Sequence, residues 1–296
     1  MTRKPWHGIL TATALPLRDD LSIDFDAHAA HVRWMADNGT QGVAINGSLG
    51  EYQSLTPDER AKTVEVAVQA APPGFTVMAG TGAYSTAESV RWAEQAARAG
   101  AHCVMSLPPN AYRGDERAVL HHYREVAAVG LPIVAYNNPI DTKIDLVPSL
   151  LAKLHDAGYI VAVKEFTGDV RRAYEIAELA PGLELMIGSD DVLLELAICG
   201  VVGWVAGYTN AFPATSTALF QAAVSHDLAT ALPLYRMMHP LLRWDSKTEF
   251  VQAIKYSMDM VGRHGGKCRP PRMELTTDQI ASVRAATERA IAAGAH

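Results

Sequence analysis

A lysine at the end of a short apolar run is the residue most suited to covalent chemistry in this chain. Residues 159–163 are apolar and rich in β-branched side chains, and Gly158 and Gly168 bound the segment. This pattern is typical of a strand buried on both faces. Burial disfavours the ammonium form, lowers the pKa and leaves Lys164 partly neutral near pH 7, able to attack a ketone and form a Schiff base. The alternative is a lysine that extends from the strand end into solvent.

Two further chemical groups follow predicted strands. The second predicted strand runs into the glycine-flanked turn 46–51, which contains Ser48 and Leu49. Successive backbone N–H groups in such a turn can hold a carboxylate, although glycine-rich turns of this kind also serve as plain connections. The fifth predicted strand ends in Tyr136. Its phenol could transfer a proton to a developing alkoxide, or it could be a core tyrosine with a satisfied hydroxyl.

A pair of carboxylates follows the seventh predicted strand. The segment reads Gly188, Ser189, Asp190 and Asp191. These carboxylates either face the same mouth as the groups above or cap the next helix, and capping alone would explain one of them.

Strand-like and helix-like segments alternate along the first three quarters of the chain. Thr56, Pro57 and Glu59 predict a capping box with proline at the first helical position, Ser85 and Glu88 predict a second one, and Gly39 a helix C-terminus. The predicted strands are 8–14, 42–46, 76–79, 102–106, 132–136, 159–164, 183–187 and 201–206. The predicted helices include 24–38, 116–128, 146–157, 170–179 and 191–199.

Eight such units with continuous apolar strands predict an α/β fold, a (β/α)8 TIM barrel. In barrels of this type the chemistry gathers at the carboxyl ends of the strands. Beyond residue 225 only helices are predicted, at 228–242, 248–261 and 277–292. We therefore divide the chain into a barrel at 1–225 and C-terminal helices at 226–296 that pack on it.

Composition excludes several classes of function. The 296 residues are 49% hydrophobic and 20% charged, with a net charge of −6, which argues against nucleic acid or an anionic membrane as a partner. The longest apolar stretch, 196–208, is interrupted by Gly200 and Gly203 and is too short to span a bilayer. The N-terminus lacks the core of a signal peptide, and three scattered cysteines fit a reducing cytoplasm. No zinc spacing and no HExxH motif is present, so we expect no metal.

Three motifs together resemble one family. They are the turn 47–51, the group Tyr136, Asn137 and Pro139, and the segment 163–169 with its lysine. Their residues and spacing resemble the dihydrodipicolinate synthase / N-acetylneuraminate lyase family of class I aldolases, along the whole chain. The resemblance implies a (β/α)8 barrel, usually tetrameric, that acts on a small 2-oxo or 2-imino acid without a metal or organic cofactor.

The resemblance also implies roles for individual residues. Lys164 would form the Schiff base, Tyr136 would transfer protons, and Ser48 with Leu49 would bind the substrate carboxylate. The carbonyl of Val205 would line the pocket. We add Gly188, Asp190 and Asp141 as expected substrate-binding residues because they follow or adjoin the same strand ends.

Three departures from the synthase pattern affect the expected substrate. Leu49 replaces a relay hydroxyl, Asp141 replaces an arginine, and the relay tyrosine falls near Ala111, with Tyr112 one place away. The segments 204–213, 136–139 and 269–272 are more similar to the hydroxyproline-degrading branch, the 1-pyrroline-4-hydroxy-2-carboxylate deaminases.

Other activities stay open at this point. The chain could be a dihydrodipicolinate synthase or another pyruvate-dependent aldolase or dehydratase of the family. A catalytically inactive ligand-binding barrel is a further alternative, because fold does not establish chemistry. A sugar-phosphate enzyme is disfavoured, since Asp190 and Asp191 would repel a phosphate at the place where such barrels bind it.

Overall fold

Eight parallel strands close into a barrel in the computed structural model, which describes residues 3–110 and 113–296. The strands follow chain order, and the last pairs with the first through Gly8 opposite Gly203 and Leu10 opposite Val205. Ala111 and Tyr112, where the relay tyrosine of the synthases was expected, lie outside the described residues. The strands are β1 (Gly8–Ala12), β2 (Gly42–Ile45), β3 (Thr76–Gly80), β4 (Cys103–Ser106), β5 (Ile133–Asn137), β6 (Ala162–Glu165), β7 (Glu184–Ile187) and β8 (Gly203–Ala206).

Alternate residues of each strand face opposite sides of the barrel wall, because successive side chains of a strand point to opposite faces. Ile9, Val43 and Val163 belong to the large cluster that packs against the outer helices. Leu10 and Ala44 belong instead to the cluster inside the barrel. The predicted (β/α)8 TIM barrel is confirmed, and both faces of its strands are buried as the continuous apolar runs indicated.

Helices follow the strands and form the outer layer. Those of the barrel are α1 (Phe25–Asp37), α2 (Pro57–Ala70), α3 (Thr86–Ala99), α4 (Glu116–Ala127), α5 (Pro139–Thr142), α6 (Pro148–Asp156), α7 (Arg171–Leu179), α8 (Leu193–Ile198) and α9 (Pro213–Val224). The C-terminal helices are α10 (Leu228–Leu242), α11 (Phe250–Met260) and α12 (Thr277–Ala292). None of the helices in the described ranges is both long and apolar enough to cross a membrane.

Of the two predicted capping boxes, the one at Thr56 forms both of its hydrogen bonds and the one at Ser85 forms only one. At the start of α2, the Thr56 side chain accepts from the Glu59 N–H and Glu59 returns a bond to Thr56, as predicted. At the start of α3, the Ser85 side chain accepts from the Glu88 N–H, but no return bond is part of that cap. Gly39 follows the end of α1 with φ +88°, the left-handed conformation that glycine adopts without strain.

A buried ion pair joins the C-terminal segment to the barrel. The Lys255 amine on α11 lies 2.6 Å from a carboxylate oxygen of Glu51, and both side chains are almost fully buried. Lys255 also donates to the carbonyl of Lys267, and the backbone N–H of Arg269 donates to Glu51. The Arg269 guanidinium in turn contacts Glu59 at the start of α2. The C-terminal segment is thus tied to the β2–α2 connection and to the first turn of α2. The division at residue 225 stays a prediction.

Candidate active site

A cavity of about 460 Å³ opens at the carboxyl ends of the strands. Most of the residues predicted from sequence line it: Ser48, Leu49, Tyr136, Asp141, Lys164, Gly188 and Val205. Asp190 is absent from this lining. The barrel register explains the grouping. Tyr136 on β5 pairs directly with Lys164 on β6, and the residues two places before them, Val134 and Ala162, both face the barrel interior.

The amine of Lys164 lies over aromatic rings rather than in solvent. Its Nζ is 4.0 Å from the centre of the Tyr136 ring and 5.7 Å from that of Phe166, and the side chain is only 6% exposed. Burial lowers the pKa of the ammonium to about 8, although the neighbouring acids Asp245 and Asp190 act in the opposite direction. The extension into solvent that the sequence left open is therefore wrong, and a larger fraction of the amine is neutral near pH 7 than in an exposed lysine.

Gly188, the residue directly after β7, leaves space for the side chain of this lysine. A Cβ on Gly188 would collide with the backbone carbonyl of Glu165 and would lie 3.1 Å from Cγ of Lys164. Gly188 thus lines the cavity because no side chain fits there. Because Gly188 has no side chain, the alkyl chain of Lys164 can extend from the strand into the cavity.

The phenol of Tyr136 is held in its protonated form. Burial is the main cause that raises its pKa well above the usual value, and the neighbouring acids Asp245 and Asp141 add to it. The hydroxyl oxygen accepts a hydrogen bond of 3.3 Å from Nδ2 of Asn138. Tyr136 can therefore donate or relay a proton while it contacts the reacting amine.

The turn after β2 presents backbone amides to the cavity. The N–H groups of Gly50 and Glu51 donate to the carbonyls of Gly47 and Ser48. Within the described residues, the N–H groups of Ser48 and Leu49 donate to no protein acceptor. Two adjacent amides without internal partners are suited to bind a carboxylate. The Leu49 side chain itself packs into the outer core, so only the backbone of this residue is suited to that role.

Asp190 does not lie where we expected a substrate-binding group. Its carboxylate is fully buried behind the cavity wall and accepts hydrogen bonds from Nε1 of Trp204 at 2.8 Å and from the N–H groups of Gly207 and Tyr208. Burial raises its pKa in spite of these bonds. Asp190 therefore lies behind the cavity wall and not, as predicted, in contact with a substrate. Asp191 accepts a hydrogen bond from Oγ of Ser246.

Asp141 lies at the rim. It is exposed, and its carboxylate accepts a hydrogen bond of 2.8 Å from Nδ2 of Asn138. An exposed carboxylate interacts with another charge through water, so its effect at 4 Å is nearer ~1 kcal/mol than the ~4 kcal/mol of a site with a lower effective dielectric. Asp141 therefore discriminates between substrates less strongly than its position in the sequence suggested.

Several cavity residues were not predicted from sequence. Asp245, Lys247 and Phe250 come from the connection between α10 and α11 and from the first turn of α11, and Arg272 comes from the segment after it. Arg272 lies in the segment 269–272 that we compared with the deaminase branch, but that comparison assigned it no role. Nothing in the local pattern of the helical tail indicates that it reaches the barrel mouth, because that contact depends on tertiary packing.

A larger surface hollow of about 670 Å³ lies beside the C-terminal helices. Two of its charged groups, Glu51 and Arg269, are already paired, with Lys255 and Glu59 respectively. It does not contain Lys164 or Tyr136. The smaller cavity is therefore the candidate active site. In the described residues there is no group of three or more His, Cys, Asp or Glu side chains suited to hold a metal ion.

Comparison with known proteins agrees with this geometry. The dihydrodipicolinate synthetase family matches residues 5–290. A 4-hydroxy-tetrahydrodipicolinate synthase of Acidothermus cellulolyticus is 31% identical over 281 residues, which cover 95% of this chain and 91% of the relative. A Rhizobium meliloti protein named an uncharacterized DapA-like lyase is 30% identical over 286 residues, or 95% of each chain. The solved dihydrodipicolinate synthase from Aquifex aeolicus is 26% identical, with a TM-score of 0.91 and coverage of 96% of this chain and 97% of that one.

A parallel (β/α)8 barrel with a buried lysine beside a tyrosine at its mouth defines the class as that of the class I aldolases. Within this class, the chain belongs to the dihydrodipicolinate synthetase family. It is an enzyme, a lyase of that family.

Proposed function

We propose that this enzyme binds a small 2-oxo or 2-imino acid as a Schiff base on Lys164. The observation that carries the proposal is the position of the amine, buried in the cavity against the Tyr136 ring with a lowered pKa. An amine in this state is a nucleophile, and once it has formed an iminium ion the adjacent carbon loses a proton readily. Tyr136 supplies protons, and the amides of Ser48 and Leu49 receive the carboxylate.

The first candidate reaction is the deamination of 1-pyrroline-4-hydroxy-2-carboxylate. Lys164 attacks C2 of the ring imine, and the C2–N1 bond breaks to open the ring. Loss of a proton from C3 gives an enamine, which expels the 4-hydroxyl group as water. A proton then leaves C5 and another adds at C3, which moves the double bond to C4=C5, and protonation at C4 gives an imine at C5. Hydrolysis of that imine releases ammonia, and hydrolysis of the Schiff base releases 2-oxoglutarate semialdehyde, with a net uptake of one water. Two carboxyl groups in the cavity wall, Asp141 and Asp245, support this reaction because they suit a hydroxylated substrate with one carboxylate.

The second candidate is the condensation of pyruvate with aspartate semialdehyde. It is favoured by relatives of about 30% identity that are named 4-hydroxy-tetrahydrodipicolinate synthase. The cavity lining also contains Lys247 and Arg272, two cations that could receive the second carboxylate of this reaction. The exposed position of Asp141 further weakens the argument against condensation.

Borohydride reduction in the presence of pyruvate tests the shared step. The expected result is a single covalent adduct on Lys164, lost in Lys164→Ala and retained in Lys153→Ala, which changes an exposed lysine. An adduct elsewhere would contradict the proposed mechanism. Absence of any adduct in the unaltered protein would contradict the proposed Schiff base.

Both reactions run on one preparation then separate the candidates. Release of ammonia and semialdehyde from the hydroxylated ring without condensation supports the deaminase. Condensation without ammonia release supports the synthase and leaves the role of Lys164 unchanged. The family resemblance also carries our proposal of a homotetramer, which sedimentation equilibrium of the purified protein would measure.

A further inference from the structure

We propose that Asp245 is a further catalytic residue of this site, the acid that protonates the oxygen at the carbon β to the Schiff-base carbon. In the deamination this oxygen is the leaving 4-hydroxyl group. The inference rests on the proposed Schiff base at Lys164 and adds a residue that the three motifs do not contain.

Asp245 reaches the cavity from outside the barrel. It lies in the connection between α10 and α11, lines the cavity together with Lys164, and is 8% exposed. Its carboxyl group lies against Gly207, where a Cβ would be only 2.8 Å from Oδ1 of Asp245. The missing side chain at this position therefore allows the carboxyl group to enter the wall of the site.

A second carboxyl group lies against the same glycine. The same hypothetical Cβ on Gly207 would be 3.3 Å from Oδ2 of Asp190, so the two acids are close neighbours, and both are buried. Like charges in such surroundings cannot both ionise easily. Asp190 accepts three N–H bonds, from the Trp204 indole and from the amides of Gly207 and Tyr208, and these bonds favour its charged form. The proton of the pair therefore resides on Asp245.

The pKa of Asp245 agrees with this assignment. Burial and the charge of Asp190 raise its pKa well above the usual value, although Lys164 and the backbone N–H of Asp190 act in the opposite direction. Lys164 becomes an uncharged enamine during the reaction, which removes part of that opposing effect. A carboxyl group that keeps its proton near neutrality can act as a general acid.

The other acids of the described cavity wall are less suited to the task. Asp141 is exposed and accepts a hydrogen bond from Asn138. Tyr136 contacts the Lys164 amine and so lies next to the Schiff-base carbon, rather than next to the carbon two bonds away. Asp245 comes from a different side of the mouth, in contact with the β8 end at Gly207.

The step balances without an external reagent. The enamine nitrogen pair re-forms the C2=N bond, the C2=C3 pair forms C3=C4, and the C4–O bond breaks with its electrons moving to oxygen. That oxygen takes the proton of Asp245 and leaves as water. The proton removed earlier from C3 restores the acid form of Asp245 over the cycle, so no oxidant or reductant is consumed.

The test compares Asp245→Asn with Asp278→Asn, a matched change at an exposed acid in the same C-terminal segment. Three quantities are measured on each protein: borohydride trapping of pyruvate, exchange of the pyruvate methyl protons with deuterated water, and ammonia release from 1-pyrroline-4-hydroxy-2-carboxylate. We expect Asp245→Asn to keep trapping and exchange within a few-fold of the unaltered enzyme. Ammonia release should fall by roughly 10²- to 10⁴-fold, the usual contribution of a general acid. Asp278→Asn should change none of the three.

A fluorinated substrate gives a second measurement. Fluoride at C4 of the ring leaves without full protonation, so Asp245→Asn should lose at least about tenfold less activity on 4-fluoro-1-pyrroline-2-carboxylate than on the hydroxylated ring. Equal losses on both substrates, unchanged ammonia release, or parallel losses of trapping, exchange and elimination would overturn the assignment. The last result would mean that Asp245 acts through Lys164. Absence of trapping in the unaltered enzyme is a separate outcome, which overturns the proposed function together with this inference.

Discussion

Removal of one partner of the buried pair of Glu51 and Lys255 should be one of the most destabilising single changes in the C-terminal segment. Their side chains are 2% and 1% exposed, the ion pair is 2.6 Å long, and each partner makes a second hydrogen bond to the segment 267–269. Lys255→Met keeps most of the volume but leaves the Glu51 carboxylate buried without its cation. Loss of one member of a buried pair typically costs 3–5 kcal/mol, and we expect the free energy of unfolding to fall by about that amount.

Two companion variants test the reason for this cost. Glu51→Gln combined with Lys255→Met removes both charges and should recover much of the loss, because no uncompensated charge remains buried. Lys153→Met breaks an ion pair of 2.7 Å between side chains that are about half exposed, and should cost less than about 1 kcal/mol.

Urea unfolding monitored by tryptophan fluorescence measures all three free energies. Pyruvate trapping on Lys164 provides a second readout, because Glu51 ends the turn whose amides are proposed to bind carboxylate. A cost below about 1 kcal/mol for Lys255→Met, or a double variant that is no more stable than the single one, would refute the reasoning.

Three further predictions concern the cavity. Tyr136→Phe removes the hydroxyl that Asn138 holds, and should lower turnover by roughly 10²- to 10⁴-fold with a much smaller change in KM; near-normal turnover would leave Tyr136 as a packing residue. The initial rate of pyruvate trapping should fall as the pH drops below about 8, because protonation of Lys164 removes the nucleophile. The titratable groups near this amine are Asp190, Asp245 and Tyr136, and the two acids favour its protonated form. A flat rate across that range would contradict the prediction. Gly188→Ala should destabilise the fold by about 1–3 kcal/mol and reduce trapping, since its Cβ meets the Glu165 carbonyl; thermal unfolding checks the first effect, and an unchanged melting temperature would contradict it.

The barrel could be predicted from sequence because each of its units carries local signals. Continuous β-branched runs predict strands buried on both faces, and the cap at Thr56 predicts where α2 begins. The ends of the strands were predicted less accurately. The first was predicted to end at Ala14, but β1 ends at Ala12. Thr13 and Ala14 remain buried after the chain leaves the ladder, so burial extended the apolar pattern beyond the hydrogen-bonded strand.

Two helices were missed for identifiable reasons. The short helix α5 (Pro139–Thr142) follows Asn138, and an Asn-Pro pair is equally typical of a turn. The helix α9 (Pro213–Val224) buries one face that includes Thr215 and Ser216, and its outer face includes Ala218 and Val224, so it lacks the separation of polar and apolar faces from which a surface helix is predicted. A helix of this kind is recognised only when the surrounding layers are known.

The site divides in the same way between local and tertiary information. Lys164 and Tyr136 could be placed at the barrel mouth because a strand end fixes both the direction of a side chain and its place there. Asp190 was misplaced because it begins a short 3₁₀ turn, Asp190–Val192, where sequence does not determine which way a carboxylate points. Asp245 was missed because only the packing of the helical tail brings it to Gly207.

The C-terminal helices are therefore more than a cover for the barrel. Lys255 and Arg269 hold Glu51 at the end of the turn whose amides face the cavity, so the tail stabilises the proposed carboxylate site from behind. Asp245 and Arg272 line the cavity itself and add a carboxyl group and a cation to its wall. The strand ends of the barrel carry the residues expected to form the Schiff base. The tail carries the groups that we propose to act on the far end of the substrate, where elimination and condensation differ.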